Sequence, residues 1–149
     1  MTSISTKSRS FLLTFTTITA LLFFPAIMGC QRLSSKFIGI QSIRAADLQK
    51  IVKSSAAPLI LDIRETQSFR EGHIPGSIRL DMESIDGYLE KINIPRQRPV
   101  VAVCTNGWDS QVAAAIIMAH GYRNGYTLIG GITRWRELGF PLQKASSPD

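Results

Sequence analysis

Apolar and polar positions divide the chain into an apolar leader followed by alternating strand-like and helix-like segments. "FIGI" (Phe37 to Ile40) predicts a first short strand. "AADLQKIV" sets Leu48, Ile51 and Val52 at helical spacing, which predicts a helix over Ala45 to Lys53 that "SSAAP" ends. "LILDI" (Leu59 to Ile63) is a continuous β-prone run, the mark of a strand buried on both faces of a parallel sheet. "RETQSFREG" reads as a polar turn or short helix ending at Gly72, before a loop held by Pro75 and Gly76 and a short strand over Ile78 to Leu80. Ile85, Leu89 and Ile92 share one face of a helix over Met82 to Ile92, despite Gly87, which costs about 1 kcal/mol relative to Ala. Pro99 to Cys104 is the second clear buried strand. The Ala-rich "SQVAAAIIMAH" forms a helix capped by Gly121, "YTLI" a last strand, and "GITRWREL" a last helix stopped by Gly139 and Pro141. Alternating strands and helices imply a single α/β domain with a mainly parallel sheet covered on both sides.

The leader changes where that domain is expected to reside. "FLLTFTTITALLFFPAIM" (Phe11 to Met28) carries no charge and follows Lys7 and Arg9, the layout of a secretory signal. Its end, "AIMGC", resembles the lipobox of bacterial lipoproteins, in which the Cys becomes the diacylated mature N-terminus. That resemblance implies a signal peptide over residues 1–29, lipidation at Cys30, a polar tether over 30–36, and a membrane-anchored, extracytoplasmic protein on the periplasmic side. A retained membrane helix, a plain secretory signal and an organelle transit peptide are the alternatives.

Composition narrows the function class. The 149 residues are 44% hydrophobic, enough for one core without disulfides or metal. The first 30 residues hold no acid, so without Lys7 and Arg9 the 17 basic residues fall to 15 against 11 acids, a net charge of +4. Lys and Arg are scattered and not interleaved with aromatics, which argues against nucleic acid and for some attraction to anions or anionic lipid. Cys30 and Cys104 are the two cysteines. With Cys30 lipidated, the folded part holds one thiol and no internal disulfide.

Cys104 ends a buried strand and faces the start of a helix. Ligand sites in open α/β sheets lie there, where free helix N–H groups and a partial positive charge favour thiolate over thiol and attract anions. His120 lies at the far end of that helix, roughly 15 Å away at ~1.5 Å per residue, and His73 in "GHIPG" reads as a loop-fixing hydrogen bonder. A Cys–His hydrolase is therefore disfavoured. One thiol and two separated imidazoles make no metal site, and Gly130 and Gly131 make no dinucleotide or phosphate loop, so neither metal nor cofactor is expected.

Three stretches in order resemble the rhodanese, or sulfurtransferase, family, specifically a single-domain member: "LDIRETQSFREGHIPGSIRL", "VVAVCTNGWDSQVAA" and "GYRNGYTLIGGITRWRELGFPL". The resemblance covers residues 37–142, leaving 143–149 as a C-terminal tail. It implies a rhodanese-like fold, a central mainly parallel five-stranded sheet flanked by helices, with Cys104 as sulfur carrier. Thiosulfate or another sulfane donor would load it as a persulfide, and a thiol, cyanide or a protein cysteine would accept the sulfur. Backbone N–H groups of Thr105, Asn106, Gly107, Trp108, Asp109 and Ser110 would cradle the persulfide, with Ser110 matching the family's small hydroxyl residue at the helix start. Asp62 with Arg64, His73, Pro75 and Trp135 read as structural, Arg64 being the one that could also attract the donor.

The loop departs from the family where many members place an Arg before its Ser, because Asp109 stands there, after Trp108. At ~6 Å and an effective dielectric near 20, its repulsion of a thiolate reaches about 3 kcal/mol at most. As helix N-cap it would face the helix and contribute ~1 kcal/mol instead. Three functions follow: a membrane-tethered sulfurtransferase, a non-catalytic or redox-sensing binding module of the same fold, and a Cys-based phosphatase or arsenate reductase. The third needs an Arg to clamp the oxyanion.

Overall fold

Leu59–Asp62 (β2) and Val100–Val103 (β4) lie side by side in the sheet, every residue of both buried. Their side chains alternate between two cores, as a strand's period of two requires. Ile60, Val101 and Val103 pack on one face with Ala45, Leu48, Ile132 and Trp135. Leu59, Leu61, Val100 and Ala102 pack on the other with Ile85, Leu89, Ala113 and Ile117. A strand apolar on both faces needs a layer on each, and burying each large side chain contributes roughly 1.5–3 kcal/mol.

The computed structural model describes residues 39–144. Its other strands are Gln41–Ile43 (β1), Ile78–Arg79 (β3) and Gly125–Leu128 (β5), in sheet order β1-β5-β4-β2-β3 with every pairing parallel. The helices are Ala45–Ile51 (α1), Thr66–Glu71 (α2), Ile85–Lys91 (α3), Asp109–Ala119 (α4) and Gly131–Glu137 (α5). The expected five-stranded α/β fold is present, and "mainly parallel" sharpens to wholly parallel within the sheet.

Three expectations shift. The first strand is "QSI" rather than "FIGI", because an exposed edge strand needs backbone pairing with β5 more than apolar side chains. Of the expected segment, Phe37 and Ile38 lie outside the described residues, and Gly39 and Ile40 precede the strand. The helix expected from Met82 divides into a 3-10 turn, Met82–Ser84, and α3. Gln143, expected in the tail, exchanges two 2.9 Å backbone hydrogen bonds with His73 and belongs to the fold.

The apolar block Phe11–Met28, Cys30 and the whole of the tether over 30–36 lie outside the described residues. Among those described, no helix is long and apolar enough to cross a membrane.

Candidate functional site

Cys104 follows the last residue of β4, and five residues later α4 begins, so strand and helix fix both ends of a short loop. The thiol is free and 2% exposed. Its Sγ accepts the Gly107 N–H at 3.1 Å and lies 3.5 Å from Ser110 Oγ and 3.9 Å from Asn106 Oδ1. The loop curls this tightly because Gly107 sits at φ +94°, and a Cβ there would meet the Leu128 carbonyl oxygen at 2.9 Å. Ser110 is fully buried in the first turn of an 11-residue helix, which directs the positive end of its dipole at the loop.

Of the six N–H groups expected to cradle a persulfide, that of Gly107 is the one bonded to Sγ among the described residues. The Trp108 N–H donates to Asn106 Oδ1 at 3.2 Å rather than to sulfur. Asp109 is not the N-cap: Trp108 holds that position with helical dihedrals, and no side chain caps the helix. Asp109 is the first helical residue and is exposed, so its charge faces water while remaining in the first turn. Trp108 itself is 72% exposed and stands one turn from the exposed Val112.

Thr127 is a site residue the sequence reading missed. It is 5% exposed, its hydroxyl bonds Ser110 Oγ across 17 residues of chain, and it reaches the Gly107 carbonyl at 3.4 Å. The available signal was a hydroxyl inside the apolar "YTLI". The Gly-Gly pair also has a physical reason: a Cβ on Gly131 would meet the Cys104 carbonyl oxygen at 2.4 Å and Thr105 backbone atoms at 2.6 Å. That approach lets the Ile132 N–H bond the Cys104 carbonyl at 2.9 Å and Thr133 Oγ1 bond the Thr105 carbonyl at 2.8 Å, tying α5 to the loop.

Beside the loop lies a cleft of about 340 Å³, walled by Asn106, Gly107, Trp108 and Gln111 on one side and by Ser42, Thr127, Ile129 and Gly130 on the other. It holds no charged side chain. Gly107 and Thr127 belong to both the cleft and the thiol's surroundings, while Cys104 lies beneath the loop. An adjoining hollow of about 310 Å³ shares Ile129 and includes Arg44 and Arg134. Each arginine bonds an acid one turn on: Arg44 to Asp47 at 2.7 Å and Arg134 to Glu137 at 2.9 Å. The Arg44 guanidinium holds the Asp47 carboxyl below its usual range.

Arg64, the residue that could also attract the donor, lies in a structural ion pair with Asp62. It is 6% exposed, with Nη2 2.6 Å from Asp62 Oδ2 and further bonds to the Gly72 and Ser68 carbonyls. Its donors are engaged in tying the end of β2 to α2. The structural readings hold elsewhere: His73 stacks on Phe69 at 3.8 Å and its Nδ1 bonds the Phe69 carbonyl at 2.9 Å, and buried Trp135 donates to the Pro141 carbonyl. His120 Nε2 lies 2.6 Å from Asp86, beyond the far end of α4.

Comparison with known proteins agrees with this geometry. Residues 44–138 match the profile of the rhodanese-like domain. A thiosulfate sulfurtransferase GlpE of Pseudomonas putida is 33% identical over 111 residues, covering 74% of this chain and 94% of that protein. Among solved structures, a rhodanese-related protein of Thermoplasma volcanium superposes with TM-score 0.56 at 27% identity, covering 70% of this chain and 99% of that one. A Rhodopseudomonas palustris protein of unknown function, described as a possible tyrosine phosphatase, superposes with TM-score 0.61 at 27% identity, covering 70% and 85% respectively. With the matched segment running from the end of β1 to the end of α5 and enclosing the Cys104 loop, the chain belongs to the rhodanese-like domain family.

Proposed function

We propose that the protein is a sulfurtransferase that carries sulfane sulfur on Cys104. The observation that carries this reading is the thiol's position: Sγ sits 3.1 Å from the Gly107 N–H and 3.5 Å from Ser110 Oγ, at the N-terminus of α4. The Cys104 thiolate attacks the outer sulfur of thiosulfate; its S–S bond breaks, sulfite leaves with the electron pair, and Cys104 becomes a persulfide. A thiol, cyanide or protein cysteine then attacks the outer sulfur, and the Cys104 thiolate leaves. No oxidant is consumed and no general base is needed, which suits a site where neither His73 nor His120 reaches the sulfur.

The uncharged cleft supports a refinement. Without a cation to hold a sulfonate, thiosulfate binds through N–H groups, hydroxyls and the helix end alone, so donors with less charge are used better. The same lack disfavours phosphatase chemistry, which needs a guanidinium on the oxyanion.

Exposed Trp108 beside Asp109 favours a second reading, a rhodanese-like module that binds a partner or senses redox state without transferring sulfur. Intact-mass spectrometry after exposure to thiosulfate and to a small persulfide separates the two. One sulfur gained by the native protein and none by Cys104→Ala supports the carrier; no gain from either donor by folded protein leaves the binding module.

We also propose that Cys30 is diacylated and anchors the protein on the extracytoplasmic side of a bacterial membrane, on the strength of "AIMGC" after the apolar block. Fatty-acid labelling that disappears in Cys30→Ser supports this, and labelling that persists refutes it.

A further inference from the structure

Because every strand of the sheet is parallel, the domain has two unlike edges, and chemistry occupies only the carboxyl one. The loops entering β2, β4 and β5 at the amino edge read "KSSAAP", "NIPRQRP" and "GYRNG", with no acid among them. They are bonded into one surface: Arg98 Nη2 donates to the Ala57 carbonyl at 3.3 Å, the Arg123 N–H to the Arg96 carbonyl at 3.1 Å, and Asn124 Nδ2 to the Gln97 carbonyl at 2.6 Å. Lys53, Arg96, Arg98 and Arg123 are all exposed on it, and no carboxylate among the described residues pairs with any of them. An open hollow of about 450 Å³ between two of these loops adds Ala56, Ala57, Pro95 and Pro99 beside Arg98. The nearby acids are Asp86, held by His120, and Glu90 beside Lys91 at the end of α3. At the carboxyl edge, by contrast, Arg44, Arg79 and Arg134 are each paired with a carboxylate, of Asp47, Asp81 and Glu137, while Glu65, Glu83 and Asp109 are exposed without a basic partner among the described residues.

The chain also enters the domain at the amino edge, since β1 begins there beside the start of β5. The ten residues Gln31 to Ile40 span at most about 35 Å if fully extended. Basic groups feel an anionic surface only within about one Debye length, ~8 Å at physiological salt, so only the edge turned toward it contributes.

We infer that this amino edge, through Lys53, Arg96, Arg98 and Arg123, seats the domain on an anionic lipid surface and leaves the Cys104 loop facing solution. The inference rests on the membrane-anchor reading for its setting, and not on sulfur transfer. Cys104 is six positions after Arg98, across β4, about 20 Å at strand rise, so sulfur donors and acceptors approach from the aqueous side.

Hydrogen–deuterium exchange of the full chain on vesicles of phosphatidylcholine alone, and of phosphatidylcholine with phosphatidylglycerol, tests the seating; flotation tests attachment separately. The expected result is protection of residues 92–99 and 121–124 on the phosphatidylglycerol vesicles only, reversed by high salt, with 104–108 unaffected. Each basic residue near such a surface is worth roughly fivefold in partitioning, so Arg96→Gln, Arg98→Gln and Arg123→Gln together lower the seated fraction by more than about tenfold. The corresponding triple Lys variant retains it, which a purely structural role for the arginines would not allow. Flotation on phosphatidylglycerol vesicles alone upholds the basic edge while removing the anchor. Equal protection on both vesicles, protection of the Cys104 loop instead, or no flotation on either overturns the inference.

Discussion

The loops leaving β2 and β4 start from neighbouring, fully buried strands in register, Asp62 opposite Val103, yet they treat their polar groups in opposite ways. After β2, Asp62 accepts from the backbone N–H, Nε and Nη2 of Arg64, and Nη1 and Nη2 each donate to a carbonyl, of Ser68 and Gly72 respectively. After β4, one backbone N–H reaches the Cys104 sulfur, and the Ser110–Thr127 hydroxyl pair lies behind it beside an uncharged cleft. The same position in the sheet makes a closed structural knot in one case and a buried thiol under a loop that borders an open cleft in the other. What decides between them is whether the loop saturates its own donors and acceptors, since an engaged group has little left for a ligand.

Breaking the reactive loop at its centre gives the largest effect: Cys104→Ala abolishes sulfur gain by mass spectrometry while the melting temperature stays near that of the native protein. Breaking the knot gives the next: Arg64→Ala leaves Asp62 buried and unpaired and costs about 3–5 kcal/mol in denaturant unfolding. The double change Asp62→Leu with Arg64→Leu costs clearly less than Arg64→Ala if the pair is structural. A double variant that is well folded yet unable to take up sulfur would assign Arg64 to the reaction and erase the contrast between the loops.

Smaller effects sharpen the contrast within the Cys104 loop. Ser110→Ala removes the hydroxyl nearest the sulfur and leaves Thr127 without its partner, lowering the rate of sulfur transfer about tenfold and stability by about 1–3 kcal/mol. Ser110→Thr, which restores a hydroxyl, recovers part of the rate; no recovery would reduce Ser110 to packing. Asp109→Arg changes least, because an exposed charge is screened by solvent. It raises kcat/KM for thiosulfate a few-fold, under about 1 kcal/mol, and leaves a neutral persulfide donor nearly unchanged. Equal gains with both donors would show that charge at this position does not select the donor.

Much of this was legible in local pattern. Leu59–Asp62 and Val100–Val103 announce buried parallel strands because both faces of each are apolar, and Cys104 lies at the functional end because a strand is followed within a few residues by a helix. Strand β1 was misplaced for the converse reason: as a half-exposed edge its place is set by hydrogen bonds to Tyr126, Thr127 and Leu128, far along the chain. Of the two readings open for Asp109, the capping one fails, because Trp108 holds the N-cap position in helical geometry and no side chain caps the helix.

By itself the sequence determined the α/β alternation, the two central strands, the Cys104 thiol at the end of β4 and the family that "GHIPG", the Cys104 loop and the Gly-Gly stretch resemble. These depend on periodicity, turn residues and short spacings, all carried by neighbours in the chain. Tertiary structure decided that Thr127 bonds Ser110, that Gly131 lets α5 press against the Cys104 carbonyl, that Arg64 is engaged by Asp62, and that acid-free loops gather at one edge of the sheet. Each of these joins groups whose meeting is fixed only when β5, β4 and β2 lie side by side. A buried polar atom takes the partner that packing brings within about 3 Å, whatever its distance in sequence.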